Sequence, residues 1–188
     1  MRGKALACLV SVLLSGPALA RPVQYHLDQA ASQVGFEITS AQSDLRGLMP
    51  VASADIILDF DKASASKVKV SLDAGRSEMA LPFATEAMKS DTVLFTRSYP
   101  TIDFQSTSIR PEGQGALVQG KVTIRGVTRP LTLRAQIFRP QGSAEGSRDV
   151  LTVRLSGVVH RHEFGANGYP DLAGDDVHLN IKVRIVKD

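Results

Sequence analysis

The residues best suited to chemistry in this chain are two histidines separated by one position, His160 and His162. Alternate residues of a β-strand share a face, so both imidazoles would face one metal ion on a regular strand. A third ligand would come from a residue near the C-terminus, namely Asp175, Asp176 or His178. Such histidine pairs are also common by chance. We therefore expect no metal and interpret the pair as two histidines at a strand end, with a metal site as the alternative.

The sequence offers no arrangement typical of an enzyme. It has no Gly-x-Ser-x-Gly motif, and its single cysteine, Cys8, lies in the apolar N-terminal stretch. His26 and Asp28 would share one face of an early strand, which is typical of a solvated edge. Dinucleotide and phosphate-binding glycine motifs are absent, as are cysteine pairs for haem or zinc. We expect a protein that is not an enzyme, with no catalytic residues and no cofactor.

The elements that would position any site are β-strands, because apolar and polar residues alternate along much of the chain. Between 116 and 125, for example, Val122 and Ile124 point one way while Lys121 and Thr123 point the other. A further short stretch at 24–28 also fits the pattern. The predicted strands are 33–39, 54–60, 67–73, 101–109, 116–125, 130–138, 150–159 and 176–186.

These strands predict an all-β fold, an antiparallel β-barrel of about eight strands, because strands do not alternate with helices as they do in parallel sheets. The turn Gly126–Pro130 would join two of them. One short helix is predicted near 84–94, with Thr85 as its N-cap and with Met88 and Val93 on its apolar side. This helix would either form a movable cover over the barrel or simply plug one end.

Apolar residues that would face the barrel interior define a candidate binding lumen. A barrel of about eight strands is either packed solid or open enough for one small ligand. Aromatic residues make up only 5% of the chain and Trp is absent, so modest side chains would leave room inside. The predicted lumen residues are Phe36, Ile38, Ile56, Leu58, Val70, Leu72, Phe104, Val122, Leu133, Val153, Leu155 and Ile181.

The N-terminus predicts secretion. Residues 1–20 combine Arg2 and Lys4 with an apolar stretch and a small-residue Ala18-Leu19-Ala20 end, the pattern of a signal peptide cleaved after Ala20. Residues 21–188 would then form a single domain, which we expect in the periplasm. Loss of Arg2 and Lys4 with the signal peptide would lower the net charge from +3 to +1. The sequence contains no basic cluster that would indicate a nucleic-acid partner.

Three stretches of the chain carry recognisable motifs: Tyr25 to Phe36, Tyr99 to Leu131 with its Gly-x-Val-Thr-Ile-x-Gly-Val-Thr-Arg-Pro-Leu run, and Arg161 to Leu179. Together they resemble the YceI family, and the resemblance spans nearly the whole segment after residue 20. The resemblance implies a secreted, lipocalin-like barrel that holds a polyisoprenoid, a quinone or a fatty-acid-like lipid in its lumen for transport, storage or sequestration. Residues 84–95 depart from the family's charged segment, where the family places a lid-like helix.

The same resemblance places Arg161 and Asp176 as candidates at the barrel rim for binding a ligand head group. Each also has a structural interpretation, as an ion pair between the last two strands. On the head-group interpretation, Arg161→Ala would weaken binding more than folding. Two alternatives stay open: an envelope interaction module that docks on a membrane redox protein, and a metal-dependent enzyme at His160 and His162. A homodimer is also open.

Overall fold

The computed structural model describes residues 22–40 and 44–188. The predicted signal peptide at 1–20 and its cleavage after Ala20 lie outside the described residues. The strands are β1 (Val23–Ile38), β2 (Leu45–Leu48), β3 (Val51–Leu58), β4 (Lys67–Asp73), β5 (Glu78–Met79), β6 (Thr101–Glu112), β7 (Gly115–Ile124), β8 (Val127–Phe138), β9 (Val150–His160) and β10 (Asp176–Lys187). The helical elements are α1 (Pro82–Lys89) and two short 3₁₀ helices, Ala63–Ala65 and Arg161–Phe164.

Eight of these strands close into one antiparallel barrel, as predicted. The order around the ring is β10-β9-β8-β7-β6-β4-β3-β1, and β1 pairs with β10 to complete the circle. The remaining two, β2 and β5, extend the sheet from β1. Closure of a sheet into a ring reduces its free edges, which is how small β proteins avoid edge-to-edge association.

The alternation in sequence reappears as alternation in burial. On β8, Leu131, Leu133 and Ala135 are buried, while the intervening Thr132 and Arg134 are exposed. A strand whose alternate residues face water and apolar surroundings can pack on one side only, so the apolar set points into the barrel.

Two local features of the strands differ from the prediction. The stretches 24–28 and 33–39 belong to a single strand, β1, whose pairing with β10 shifts register between Asp28 and Gln33. The extra residues of this bulge interrupt the period-two pattern, so the sequence shows two strands where the structure has one. The predicted lower bounds at 54 and 130 were also late, because β3 begins at Val51 and β8 at Val127.

The connection between β7 and β8 is shorter than the predicted turn Gly126–Pro130. It consists of Arg125 and Gly126, both with positive φ values of 51° and 75°. This two-residue turn suits the twist of a hairpin, and glycine adopts the positive φ without strain. Pro130 therefore lies inside β8, opposite Lys121 of β7.

The helix is also shorter than predicted. It spans Pro82–Lys89 and follows Leu81 as N-cap, with the proline in the first turn where its missing N–H costs least. Thr85, predicted as the N-cap, lies within the helix, and its Oγ1 accepts a hydrogen bond from the Met79 N–H at 2.9 Å. Residues 91–94 continue as turns instead of helix.

Candidate functional site

The barrel encloses an apolar cavity of about 300 Å³. That volume is about twice the ~150 Å³ of an engineered core void that admits benzene. Among the residues that the structure describes, every side chain on its wall is apolar except that of Arg161. All twelve lumen residues predicted from the sequence lie on this wall. Their role in binding a ligand stays a prediction.

Two glycines leave room for the rings of two phenylalanines at the cavity wall. A Cβ atom on Gly120 would overlap the ring of Phe104, and one on Gly47 would overlap the ring of Phe36. Each ring therefore occupies the space that a side chain would fill on the neighbouring strand. Within residues 22–40 and 44–188, the third aromatic side chain on the wall is Phe164, and the rest of the wall is built mainly from Val, Leu and Ile.

One end of the barrel is closed by two segments that we call the cover, residues 82–95 and 161–174. Met88 and Leu94 from the first segment and Phe164 from the second lie on the cavity wall. The two segments are joined by a hydrogen bond from the Gly168 N–H to the Thr92 carbonyl oxygen at 2.8 Å. The cover thus contributes apolar side chains to the cavity wall at this end of the barrel.

The β7–β8 turn holds the cover against the barrel. Nη1 of Arg125 donates to the carbonyl oxygen of Asp91 at 2.8 Å and to that of Val93 at 2.5 Å. Sequence reasoning treated this turn as a connection only, although it lies in the run that resembles the YceI family. Arg125 has a positive φ although it is not glycine, which is uncommon, but a sequence does not reveal φ values.

Arg161 is the charged residue in the described part of the cavity wall and is only 6% exposed. Its Nε donates to Gly174 O, its Nη1 to Ala166 O and Gly168 O, and its Nη2 to Ala173 O, each at 2.7 Å. Four of the five N–H groups of the guanidinium are thereby engaged.

Burial lowers the pKa of Arg161 from its ordinary value, and the negative charge of Asp175 opposes that shift. An arginine in a protein nevertheless keeps its proton at neutral pH. Within the described part of the chain, no carboxylate forms a salt bridge with it. Arg161 therefore borders the cavity, while its guanidinium nitrogens bond to the carbonyl oxygens of the cover.

The second rim candidate, Asp176, lies elsewhere. It is exposed, it is absent from the cavity wall, and its Oδ1 lies 2.8 Å from Nδ1 of His160. The ion pair between Arg161 and Asp176 is not formed, because Arg161 turns inward to the carbonyl oxygens of the cover. Of the two predicted rim residues, only Arg161 reaches the lumen.

The two histidines do not share one strand face as the sequence suggested. The strand β9 ends at His160, and His162 lies in the 3₁₀ helix that follows. A different group forms instead, in which ligand atoms of His160, Asp175 and Asp176 lie within 4.8 Å of one another.

The other end of the barrel is filled by side chains. Tyr25, Leu151 and Ile185 are almost completely buried there. The Tyr25 hydroxyl donates to the Arg148 carbonyl oxygen at 2.8 Å, and its ring meets Phe60 edge-on with centroids 6.4 Å apart. Burial raises the pKa of the Tyr25 phenol above its ordinary value. We call this group the closed end.

The barrel wall is incomplete beside the cover. Only residues 134–138 of β8 pair with β9, where their partners are residues 152–156. The first half of β8 therefore has no partner on that side. Pro130, which lacks an N–H to donate, lies in this unpaired half. Phe164 packs there in one buried cluster with Leu131 and Val159. The gap in the backbone ladder is therefore filled by a side chain of the cover.

Within the described ranges, 22–40 and 44–188, no helix has the length and apolar character needed to cross a membrane.

Comparisons with known proteins agree with this architecture. The sequence profile of the YceI-like domain matches residues 25–185. The UPF0312 protein of Pseudomonas putida is 27% identical over 187 residues, which cover 97% of this chain and 95% of that protein. A UPF0312 protein of Vibrio vulnificus is 26% identical over 140 residues, covering 72% and 74%.

Solved structures share the fold at low identity. The crystal structure of Burkholderia cenocepacia BcnA superposes with a TM-score of 0.73 at 18% identity and covers 84% of this chain and 98% of that one. The YceI protein of Campylobacter jejuni gives a TM-score of 0.59 at 22% identity, covering 76% and 84%. Because the family profile spans the barrel from its first strand to its last, the chain belongs to the YceI-like domain family.

Proposed function

We propose that this protein binds a long-chain amphiphile, such as a polyisoprenoid, a quinone or a fatty-acid-like lipid, in the barrel lumen and carries, stores or sequesters it without changing it. The single observation that supports this most is the cavity of about 300 Å³, whose described wall residues are apolar except Arg161. Such a cavity is poorly suited to catalysis, because it places no nucleophile, acid or base beside a bound molecule.

The energetics favour a hydrocarbon chain. Burial of each methylene group is worth ~0.8 kcal/mol, so a chain of about twenty carbons gains on the order of 16 kcal/mol before ordering costs. Even after those costs, micromolar or tighter binding is expected. A polar ligand would lose its hydrogen bonds to water and regain almost none from this wall.

The polar end of the ligand would lie at the cover, beside Arg161. Among the described residues of the wall, Arg161 supplies the positive charge that a phosphate, carboxylate or quinone oxygen would approach once the cover has moved. The cover would then have to open for loading. The signal-peptide pattern at 1–20 supports a periplasmic location, where such lipids are available at the membrane surface.

A titration with a fluorescent long-chain lipid tests the lumen assignment. Leu155→Trp places a large ring on the cavity wall, while Arg154→Trp places the same ring at the preceding, outward position of β9. We expect at least tenfold weaker binding for the first variant and unchanged binding for the second, with both folded by circular dichroism. Equal affinity for wild type and Leu155→Trp would place the lipid outside the barrel.

A second candidate function, docking on an envelope partner such as a membrane redox protein, is favoured by exposed apolar residues on and near the cover. Phe83 is 70% exposed, Leu172 59% and Leu81 43%. A double variant, Phe83→Ser with Leu172→Ser, would keep lipid affinity and lose cross-linking to the partner if this surface serves docking. If this surface serves self-association instead, light scattering should show a dimer for the wild type and a monomer for the double variant.

A further inference from the structure

A group of potential metal ligands lies outside the cavity, where β9 ends and β10 begins. His160 is the last residue of β9 and pairs across the sheet with Asp176, the first residue of β10. Nδ1 of His160 lies 2.8 Å from Oδ1 of Asp176 and 3.8 Å from Oδ2 of Asp175. All three side chains are about half exposed, so an ion from solvent could reach them.

The backbone around these ligands is held in place before any ion arrives. The carbonyl oxygen of Asp175 accepts a hydrogen bond from the Arg161 N–H at 3.0 Å. The side-chain Oδ1 of Asp175 accepts one from the His162 N–H at 2.8 Å and lies 3.3 Å from Nδ1 of His162. The second oxygen of Asp175 is thereby turned toward His160. Little rearrangement would be needed to bind a cation.

The spacing suits a small divalent ion. Zinc bound tetrahedrally at 2.0–2.2 Å separates its ligand atoms by about 3.3–3.6 Å. The two distances from His160 Nδ1, 2.8 and 3.8 Å, lie on either side of that range. An ion would replace the hydrogen bond between His160 and Asp176, and two carboxylates would balance its charge.

We propose that His160, Asp175 and Asp176 bind one divalent transition-metal ion, with Zn²⁺ as the reference ion and a fourth position open to water. The imidazole ligand favours Zn²⁺, Ni²⁺ or Cu²⁺ over Mg²⁺ and Ca²⁺, which prefer sites made only of oxygen atoms. His162 acts as a positioning residue, since it contacts Asp175 instead of the ion.

The site would also fasten the cover. Its ligands lie at the two ends of the second cover segment, residues 161–174, which contains Arg161 and Phe164. A bound ion would link His160 on one side of this segment to Asp175 and Asp176 on the other. Metal binding is therefore expected to stabilise the folded cover, and this consequence does not depend on the identity of the lipid.

Isothermal titration of the tag-free protein with ZnCl₂ tests the proposal. We expect one Zn²⁺ per chain at this site, no comparable heat with MgCl₂, and a rise in melting temperature when Zn²⁺ is added. His160→Ala and the nearly isosteric Asp176→Asn should each weaken Zn²⁺ binding at least tenfold and remove the rise in melting temperature.

The matched control is His26→Ala, because His26 forms an exposed His–Asp pair away from this site, at 2.8 Å from Asp188. Its Zn²⁺ affinity should stay within twofold of wild type. The proposal is overturned if wild type binds no Zn²⁺ at micromolar concentrations, or if Asp176→Asn, folded by circular dichroism, binds as tightly as wild type. Loss of binding in His26→Ala alone would overturn it as well.

Discussion

At the scale of single residues, the lumen depends on glycines that face phenylalanine rings. Gly120 lies beside Phe104, and Gly47 beside Phe36, with no room for a Cβ atom at either glycine. The sequence placed both phenylalanines inside the barrel, because their positions follow the period-two pattern. It could not show that the rings occupy space above glycines, since that depends on pairing between strands.

The substitution Gly120→Ala should destabilise the protein by about 1–3 kcal/mol, because overpacking forces neighbouring side chains to shift. The new Cβ would overlap the Phe104 ring and approach the Gln105 carbonyl oxygen to 2.6 Å. Urea unfolding measures the change. Gly75→Ala is the control, because its Cβ meets only the side chain of Asp73 at 3.3 Å, and it should stay within about 0.5 kcal/mol of wild type. Equal stability of the two variants would contradict this account of the wall.

Arg161→Ala should reduce stability by about 2–4 kcal/mol, because it leaves buried carbonyl oxygens without partners. On the head-group interpretation, the sequence predicted a larger effect on binding than on folding. We now expect a large effect on folding as well, since the guanidinium holds the backbone of the cover through four hydrogen bonds. Thermal unfolding measures the loss, and Arg125→Ala, which removes an exposed link to the first cover segment, gives a milder comparison. If Arg161→Ala is folded and as stable as wild type but has lost its lipid affinity, Arg161 serves head-group binding and not the stability of the cover.

At the scale of elements, strands with unbroken alternation could be predicted from the sequence, and irregular segments could not. The predicted ranges for β4, β7 and β9 agree with the structure to within one residue at each end. The β1 bulge was missed, and the predicted bounds of the β7–β8 turn and of the short helix were wrong. Each is decided by backbone pairing or by packing on the barrel, which leaves little periodic trace in the sequence.

Phe164 belongs to the cover and packs at the gap between β8 and β9, so its substitution tests the role of both features. Phe164→Ala should cost about 3–5 kcal/mol, because it leaves a void among Leu131, Val159 and Ile124. It should also speed release of a bound lipid, since the side chain fills the unpaired part of the wall. Stopped-flow release into acceptor vesicles measures this rate. Phe138→Ala, on an exposed residue of the same β8, should leave the rate unchanged. A Phe164→Ala release rate equal to that of wild type would exclude this route.

At the scale of the whole molecule, composition and periodicity predicted a closed barrel of about eight strands, and the structure confirms it. Whether the interior is solid or hollow could not be predicted, because both versions use the same inward-facing apolar residues. The cover residues Met88, Leu94 and Phe164 complete the cavity, yet they lie on segments without strand periodicity. The fold persists in Burkholderia cenocepacia BcnA at 18% identity, so the barrel itself tolerates wide sequence change.

The most direct test of the central claim is native mass spectrometry of the protein purified from a bacterial envelope, followed by organic extraction of the same sample. The account predicts a stoichiometric adduct with the mass of a long-chain lipid, absent from the Leu155→Trp variant. A mass equal to that of the bare chain, unchanged after incubation with quinones and polyprenols, would contradict it and favour a protein-docking role.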